Sequence, residues 1–297
     1  MEYFLTIAAS LLIVIGISLI AISARFIQQI KFKIAGNAIG LLMFLGGILL
    51  IFFTYYSYYE EFYLYEFYKT LFWFVVPVLT CAIILIPLRL VTHIPDYIFR
   101  KILHLIAIST VIPLTIATSI WWISEITIGL FFILIIVAVM IFEQIPFYNH
   151  LFVEKNKHEV LFSFSFFFII MALLVLVFWG YKGEEYRYLP IVAIMAWGPG
   201  DAMAAIIGQE FGKHKFSWKF VDNHKSIEGS VAMAITSLII TFVLLFFLSA
   251  YPWWLILIQS LVVGLFSSFA ELISKKGLDT IACPFVAGLI LFLFSFI

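Results

Sequence analysis

Charge is scarce in this chain. Of 297 residues only 11% are Asp, Glu, Lys or Arg, the 17 acidic and 17 basic side chains cancel, and no long block of like charge offers a surface to nucleic acid. Cysteine is scarcer still. Cys81 and Cys283 lie in or beside apolar runs without CxxC spacing, which excludes a disulfide framework and a cysteine zinc site. A Walker A loop is absent, so a nucleotide site here is of another type. His150 and His158 lack HExxH or other compact zinc spacing and read as solvated loop residues. With no Gly/Ser linker, Pro-rich tract, low-complexity segment or internal repeat, residues 1–297 read as one integral domain.

What fills the chain is hydrophobic sequence, 65% of it, in long runs instead of amphipathic alternation. The expectation is an all-α, polytopic integral membrane bundle of about ten transmembrane helices. They fall near 4–24, 34–56, 71–92, 102–121, 123–142, 160–181, 188–208, 229–249, 253–270 and 281–297. A tight turn near Trp121, Trp122 and Glu125 is the weakest boundary, and nine spans is the alternative. The first run exceeds a signal-peptide core and lacks a clear cleavage pattern, so it reads as a span. The aromatic-acidic stretch from Tyr55 to Tyr68 reads as an outer interfacial segment. In a ten-span arrangement one set of alternate loops carries 14 of the 17 Lys and Arg residues, and all six His residues lie in or at the edges of those loops. The positive-inside rule assigns those loops to the cytoplasm and both termini to the outside.

The chain's most informative stretch runs from Gly198 to Ser230. Gly198-Pro199-Gly200 is expected to break an apolar span and to place Asp201 directly after the break. A carboxylate at membrane depth costs at least ~2.5 kcal/mol, so it is paired, buried in protein or turned to a water-filled cavity. Asp201 could cap a helix restarting after Pro199, or hold magnesium on nucleotide phosphates; the two roles are compatible. Gly200, Ala204, Gly208 and Gly212 recur every four residues, a small-residue stripe suited to close backbone approach. The following loop carries Lys213, Lys215, Lys219 and Lys225, an orientation signal or a set of phosphate contacts. Lys225, Ser226, Glu228 and Gly229 gather at the mouth of the next span, where Lys supplies an ammonium and Gly lets a backbone N–H approach an anion. Arg100, Lys101 and His104 share a helical face entering the fourth span, as a cytoplasmic anchor or a phosphate contact. Asp279, after Gly277, is a turn residue or a second carboxylate for the same face.

Five stretches in this order resemble the dolichol kinase and phytol kinase family. They are Arg100-Lys101-x-x-His104, Gly200-Asp201-Ala202-Met203-Ala204, Gly208-x-x-Phe211-Gly212-Lys213, Lys225-Ser226-Ile227-Glu228-Gly229-Ser230 and Gly277-Leu278-Asp279-x-x-x-x-Pro284. All lie in 93–297, while 1–92 carries no matched motif. The resemblance implies an integral-membrane kinase that phosphorylates a lipid alcohol with CTP at the cytosolic face. Dolichol or polyprenol is the favoured substrate type, with phytol, geranylgeraniol and diacylglycerol as further acceptors. It further implies magnesium on Asp201 with Asp279 or Glu228, and nucleotide contacts from Arg100, Lys213, Lys225, Ser226, Glu228 and Gly229. Lys101 would act on the phosphates from the fourth span, and His104 or Asp201 would take the hydroxyl proton. The family often has Asp-Asn where this chain has Asp279-Thr280. Part of the pattern is similar to the phosphatidate cytidylyltransferases, whose HGGxxDRxD element is absent. A secondary transporter is the non-enzyme alternative.

The charge bias makes a prediction about topology. In a background lacking Cys81 and Cys283, Lys213→Cys is expected to react with an impermeant maleimide only after the membrane is breached, and Glu185→Cys from outside intact cells. Labelling of Lys213→Cys from outside would reverse the orientation.

Overall fold

The computed structural model of the protein describes residues 8–16, 30–56, 60–92, 94–142, 159–216, 225–274 and 277–297, with positions 5, 19 and 221. His150, His158, Lys219 and much of the expected first span lie outside the described residues. Helix α1 covers Ile30–Tyr56, α2 Glu60–Val91, α3 Asp96–Ser109, α4 Val111–Ile116 and α5 Trp121–Phe142. Helix α6, Glu159–Leu174, continues as a π-helical segment, Val175–Lys182; then follow α7, Leu189–Glu210, α8, Ile227–Leu248, α9, Trp253–Ile273, and α10, Asp279–Phe294.

Among the described residues six stretches are long and apolar enough to cross a membrane: Phe62–Arg89, Asp96–Ile116, Val160–Lys182, Glu184–Glu210, Ile227–Leu248 and Trp253–Ile273. Shorter apolar helices cover Ile39–Ile51, Trp121–Ile136 and Asp279–Phe294. Among the described residues no strand forms beyond a single antiparallel bridge between Lys215 and Ser226. The protein is an integral, multi-pass, helical membrane protein.

Residues 60–68, part of the stretch expected at the outer interface, form the first turns of α2, where Lys69 pairs with Glu66 at 2.5 Å and the Thr70 hydroxyl donates to the Glu66 carbonyl at 2.7 Å. Two local expectations are corrected. The turn expected near Trp121, Trp122 and Glu125 falls earlier, at residues 117–120, where the Ile120 N–H donates to the Thr118 hydroxyl at 3.1 Å. Trp121, Trp122 and Glu125 are buried in α5. Finally, Gly198-Pro199-Gly200 does not break its helix. Pro199 sits inside a continuous α7, forgoing one backbone hydrogen bond, so Asp201 is a mid-helix residue and not an N-cap.

The chain divides into two compact units, one formed by residues 1–77 and 113–187, the other by 78–112 and 188–297. The first has an aromatic core. Phe74 meets Phe131 edge-on at 4.1 Å between centroids, Phe132 meets Phe168 at 6.0 Å, and Phe44 lies over Gly129.

In the second unit the helices approach through small residues. A methyl group at Gly200 would lie 2.5 Å from the Ser237 hydroxyl of α8, and one at Gly229 would lie 2.8 Å from the Ala204 carbonyl oxygen of α7. On the other side of α8, a methyl at Gly264 of α9 would lie 2.6 Å from the Ala234 carbonyl oxygen. Gly198 admits the Ile108 side chain of α3 in the same way. Helix α8 shows why. Its buried positions, Gly229, Met233, Ser237, Thr241 and Leu245, recur every four residues, whereas Val231, Ile235, Ile239 and Val243 are exposed. Lipid tails are as apolar as Leu, so association draws on close packing and interhelical hydrogen bonds such as Ser237 Oγ to Ala196 O, 2.7 Å, and Ser268 Oγ to Ser230 O, 2.7 Å.

Gly229→Ala forces a methyl against backbone and is expected to destabilise the protein by about 1–3 kcal/mol. Gly46→Ala meets no atom within 4 Å and is expected to leave the thermal midpoint level or raised, since alanine favours helix. Equal midpoints for the two variants would refute the close-approach account.

Candidate functional site

Motif residues from 93–297 meet within the second unit. Helix α3 enters from Pro95, tied down by Arg89, which donates to the Ile94 carbonyl and the Asp96 carboxylate. Tyr97 of α3 donates its hydroxyl proton to Glu210 of α7, joining the two helices near the end of α7. One turn further along α3, Lys101 donates to Asp201 Oδ2. Their side chains are only 11% and 10% exposed, so each charge depends on the other for its partner. His104, one helical step deeper, lies within electrostatic reach of Lys101, Asp201 and Arg100.

The second ion pair lies between the start of α8 and the end of α9. Lys225 Nζ stands 2.8 Å from Glu271 Oε1 and also donates to the carbonyls of Glu271 and, at 3.0 Å, Ser274. The two pairs share one electrostatic field. Asp201 feels Lys225 as well as Lys101 and His104, and Asp279, in the first turn of α10, feels Asp201, Lys101 and Lys225. Two ammonium groups, three carboxylates and an imidazole thus form one cluster at the ends of α3, α8, α9 and α10 and in the second half of α7. Cys283, fully buried one turn beyond Asp279, borders it.

The rest of the Lys225-Ser226-Ile227-Glu228-Gly229 stretch builds the start of α8. Ser226 is the N-cap, its hydroxyl accepting the Gly229 N–H at 3.2 Å. Gly229 provides the close approach to Ala204 described above. Glu228, in the first turn where a negative charge complements the helix dipole, accepts the His214 main-chain N–H at 3.2 Å, with His214 Nδ1 at 2.6 Å. This pair closes the loop, helped by the Phe216 N–H on the Lys225 carbonyl, 3.2 Å, and the Ile227 N–H on the His214 carbonyl, 3.0 Å. Lys213 stands exposed on that loop.

The structure therefore gathers Lys101, His104, Asp201, Lys225 and Asp279, with Arg100 beside His104. It seats Glu228 on His214, and Ser226 and Gly229 in the α7–α8 contact. Glu271 is the residue of this cluster that the motifs do not name. Its signal was present: in α9 the buried Gln259, Ser260, Gly264, Ser267, Ser268 and Glu271 form a small and polar stripe in an otherwise apolar helix.

Fold and site together define a polytopic membrane protein with a buried acid–base cluster at the ends of its helices. Comparison with known proteins narrows the class. The chain is 32% identical over 107 residues to a phytol kinase of Synechocystis sp., covering 34% of this chain and 44% of that protein. It is 29% identical over 99 residues to a phosphatidate cytidylyltransferase of Staphylococcus haemolyticus, 33% of this chain and 37% of the relative. With the enzyme of that name from Staphylococcus saprophyticus it shares 30% identity over 95 residues, 32% and 36% of the two chains. These are distant homologues, and each match spans less than half of the relative's length. No family model matches the chain, and no solved structure matches it significantly.

Removing one partner of a buried ion pair leaves the other charge orphaned. Lys101→Ala is expected to cost about 3–5 kcal/mol, read as a fall in the thermal midpoint, and Asp201→Asn in the same background to recover part of it. A midpoint unmoved by Lys101→Ala would show that the pair does not bear on stability.

Proposed function

We propose that this protein is a lipid-alcohol kinase that transfers the γ-phosphate of CTP to the hydroxyl of an isoprenoid alcohol, of dolichol or polyprenol type, at the cytoplasmic face. The observation that carries this reading is the Lys101–Asp201 pair, with Asp279 and Lys225 in its field, buried among membrane-spanning helices. Phosphoryl transfer asks the protein chiefly for positioning and charge neutralisation, because the transition state spreads negative charge over the transferring oxygens. The homologue named phytol kinase supports a phosphotransferase acting on an isoprenoid alcohol.

In this reading the alcohol oxygen forms a bond to the γ-phosphorus as the bond from that phosphorus to the bridging oxygen breaks, and CDP leaves. The hydroxyl proton passes to His104 or Asp201. Lys101, Arg100 and Lys213 lower the charge on the phosphates. The donor set fits magnesium, which takes one or two carboxylates and completes its shell with phosphate oxygens and water. Asp201 and Asp279 would hold it, and its charge would neutralise the phosphates. Among the described residues no group of three His, Cys, Asp or Glu side chains forms a metal site by itself. The lipid tail stays among apolar helices while its hydroxyl reaches the cluster.

The two cytidylyltransferase relatives support a second reading, in which the α-phosphate of CTP is attacked and pyrophosphate leaves. Purified protein with γ-labelled CTP, magnesium and a panel of polyprenols, phytol, diacylglycerol and phosphatidate separates the two. The expected products are CDP and a labelled isoprenoid phosphate, with Asp201→Asn slower per folded molecule by about a hundredfold or more. Pyrophosphate with a CMP-bearing lipid would move the protein to the second reading. Absence of nucleotide consumption with every lipid would remove both and favour a transporter.

A further inference from the structure

Lys225 belongs to the stretch resembling a nucleotide-binding element, yet its ammonium group is already fully engaged. A lysine has three protons to donate. At Lys225 they meet three acceptors on the end of α9: the Glu271 carboxylate at 2.8 Å, the Glu271 carbonyl, and the Ser274 carbonyl at 3.0 Å. The last carbonyls of a helix lie at the negative end of its dipole, so a cation there is a cap; Lys225 shares the Glu271 carbonyl with the Ser274 main-chain N–H, 3.1 Å away. The side chains of Lys225 and Glu271 are 18% and 11% exposed, which leaves little water to replace a lost contact.

The capped end of α9 lies shortly before Asp279 in the chain. From Ser274 the chain passes through Gly277, at φ +78°, to Asp279 in the first turn of α10. The same ammonium group acts electrostatically on Asp279 and Asp201. Glu271 in turn feels Asp201 and Asp279, so without Lys225 three carboxylates would share the single ammonium of Lys101.

We infer that Lys225 and Glu271 are a positioning pair: they fasten the start of α8 to the end of α9, set where Asp279 stands relative to Asp201, and make no direct bond to the nucleotide. The inference deepens the phosphoryl-transfer reading and rests on it. It divides the cations of the site between two tasks. Lys225 builds the frame and contributes its field, and the phosphate contacts fall to Lys101, Arg100 and Lys213.

The test is a double-mutant cycle on the full chain in detergent, with Lys225→Met, Glu271→Leu and the two combined. Thermal midpoints are read without nucleotide, and kcat and the CTP KM are read per folded molecule. Each single change is expected to lower the midpoint and to lower kcat about tenfold while the CTP KM stays within about threefold, because positioning for transfer is lost and not ground-state binding. The combined variant is expected to regain most of the midpoint and to exceed either single variant in kcat, since replacing both partners leaves no orphaned charge. A CTP KM raised about tenfold or more in both Lys225→Met and the combined variant would show a direct phosphate contact and overturn the inference. Additive midpoint losses, or kcat per folded molecule unchanged in the single variants, would overturn it too. Should the wild-type chain consume no nucleotide, the functional reading falls by itself, and the midpoint cycle alone upholds or overturns the pairing.

Discussion

The ion pair between Lys101 and Asp201 is the constraint to which the second unit is fitted. A charge among membrane helices is costly unless another charge meets it, and here the two partners come from different helices. Helix α3 must therefore lie against α7 with its first turns level with the second half of α7. The Tyr97–Glu210 bond and the entry of Ile108 above Gly198 hold that register from either side. Once Asp201 is neutralised in this way, Lys225 and Glu271 repeat the pairing between α8 and α9, and Asp279 of α10 adds a further carboxylate to the same field.

Such an arrangement needs helices that come unusually close. In water an apolar stripe would draw them together; in lipid it is the small residues that do so. The Gly200, Ala204 and Gly208 face of α7 meets the Gly229, Met233 and Ser237 face of α8, and the Ser230 and Ala234 side of α8 meets Gly264 and Ser268 of α9. Glycines that look like helix breakers in sequence act here as sites of contact. The same reasoning applies to Pro199. A proline in a membrane helix can be carried by its neighbours, and the continuity of α7 through it puts Asp201 on a rigid element instead of at a helix start.

Much of this was legible beforehand, for physical reasons that act locally. The depth of Asp201 in an apolar run, the four-residue recurrence of small side chains and the clustering of Lys225 to Gly229 at a span's mouth all depend on neighbouring residues alone. Other features were misread for the complementary reason. The Gly-Pro-Gly segment was expected to end a helix because its local propensity is poor, and tertiary contacts overrode that propensity. The turn before α5 was displaced to residues 117–120 because Trp121, Trp122 and Glu125 are taken into the core. Glu228, expected beside the metal, is seated on His214, and Glu271, which no motif named, carries the counter-charge for Lys225.

By itself the sequence determined that the chain is a polytopic helical membrane protein, and which polar residues stand deep enough to need a partner. Hydrophobic length and the cost of a buried charge are properties of short stretches. Which partner each charge takes was decided only by the tertiary structure. Lys101 and Asp201 are 100 residues apart, and Lys225 and Glu271 are 46 apart. The ends that meet are selected by which helix faces are small enough to touch, and that choice is made by the helices together and by no one of them alone.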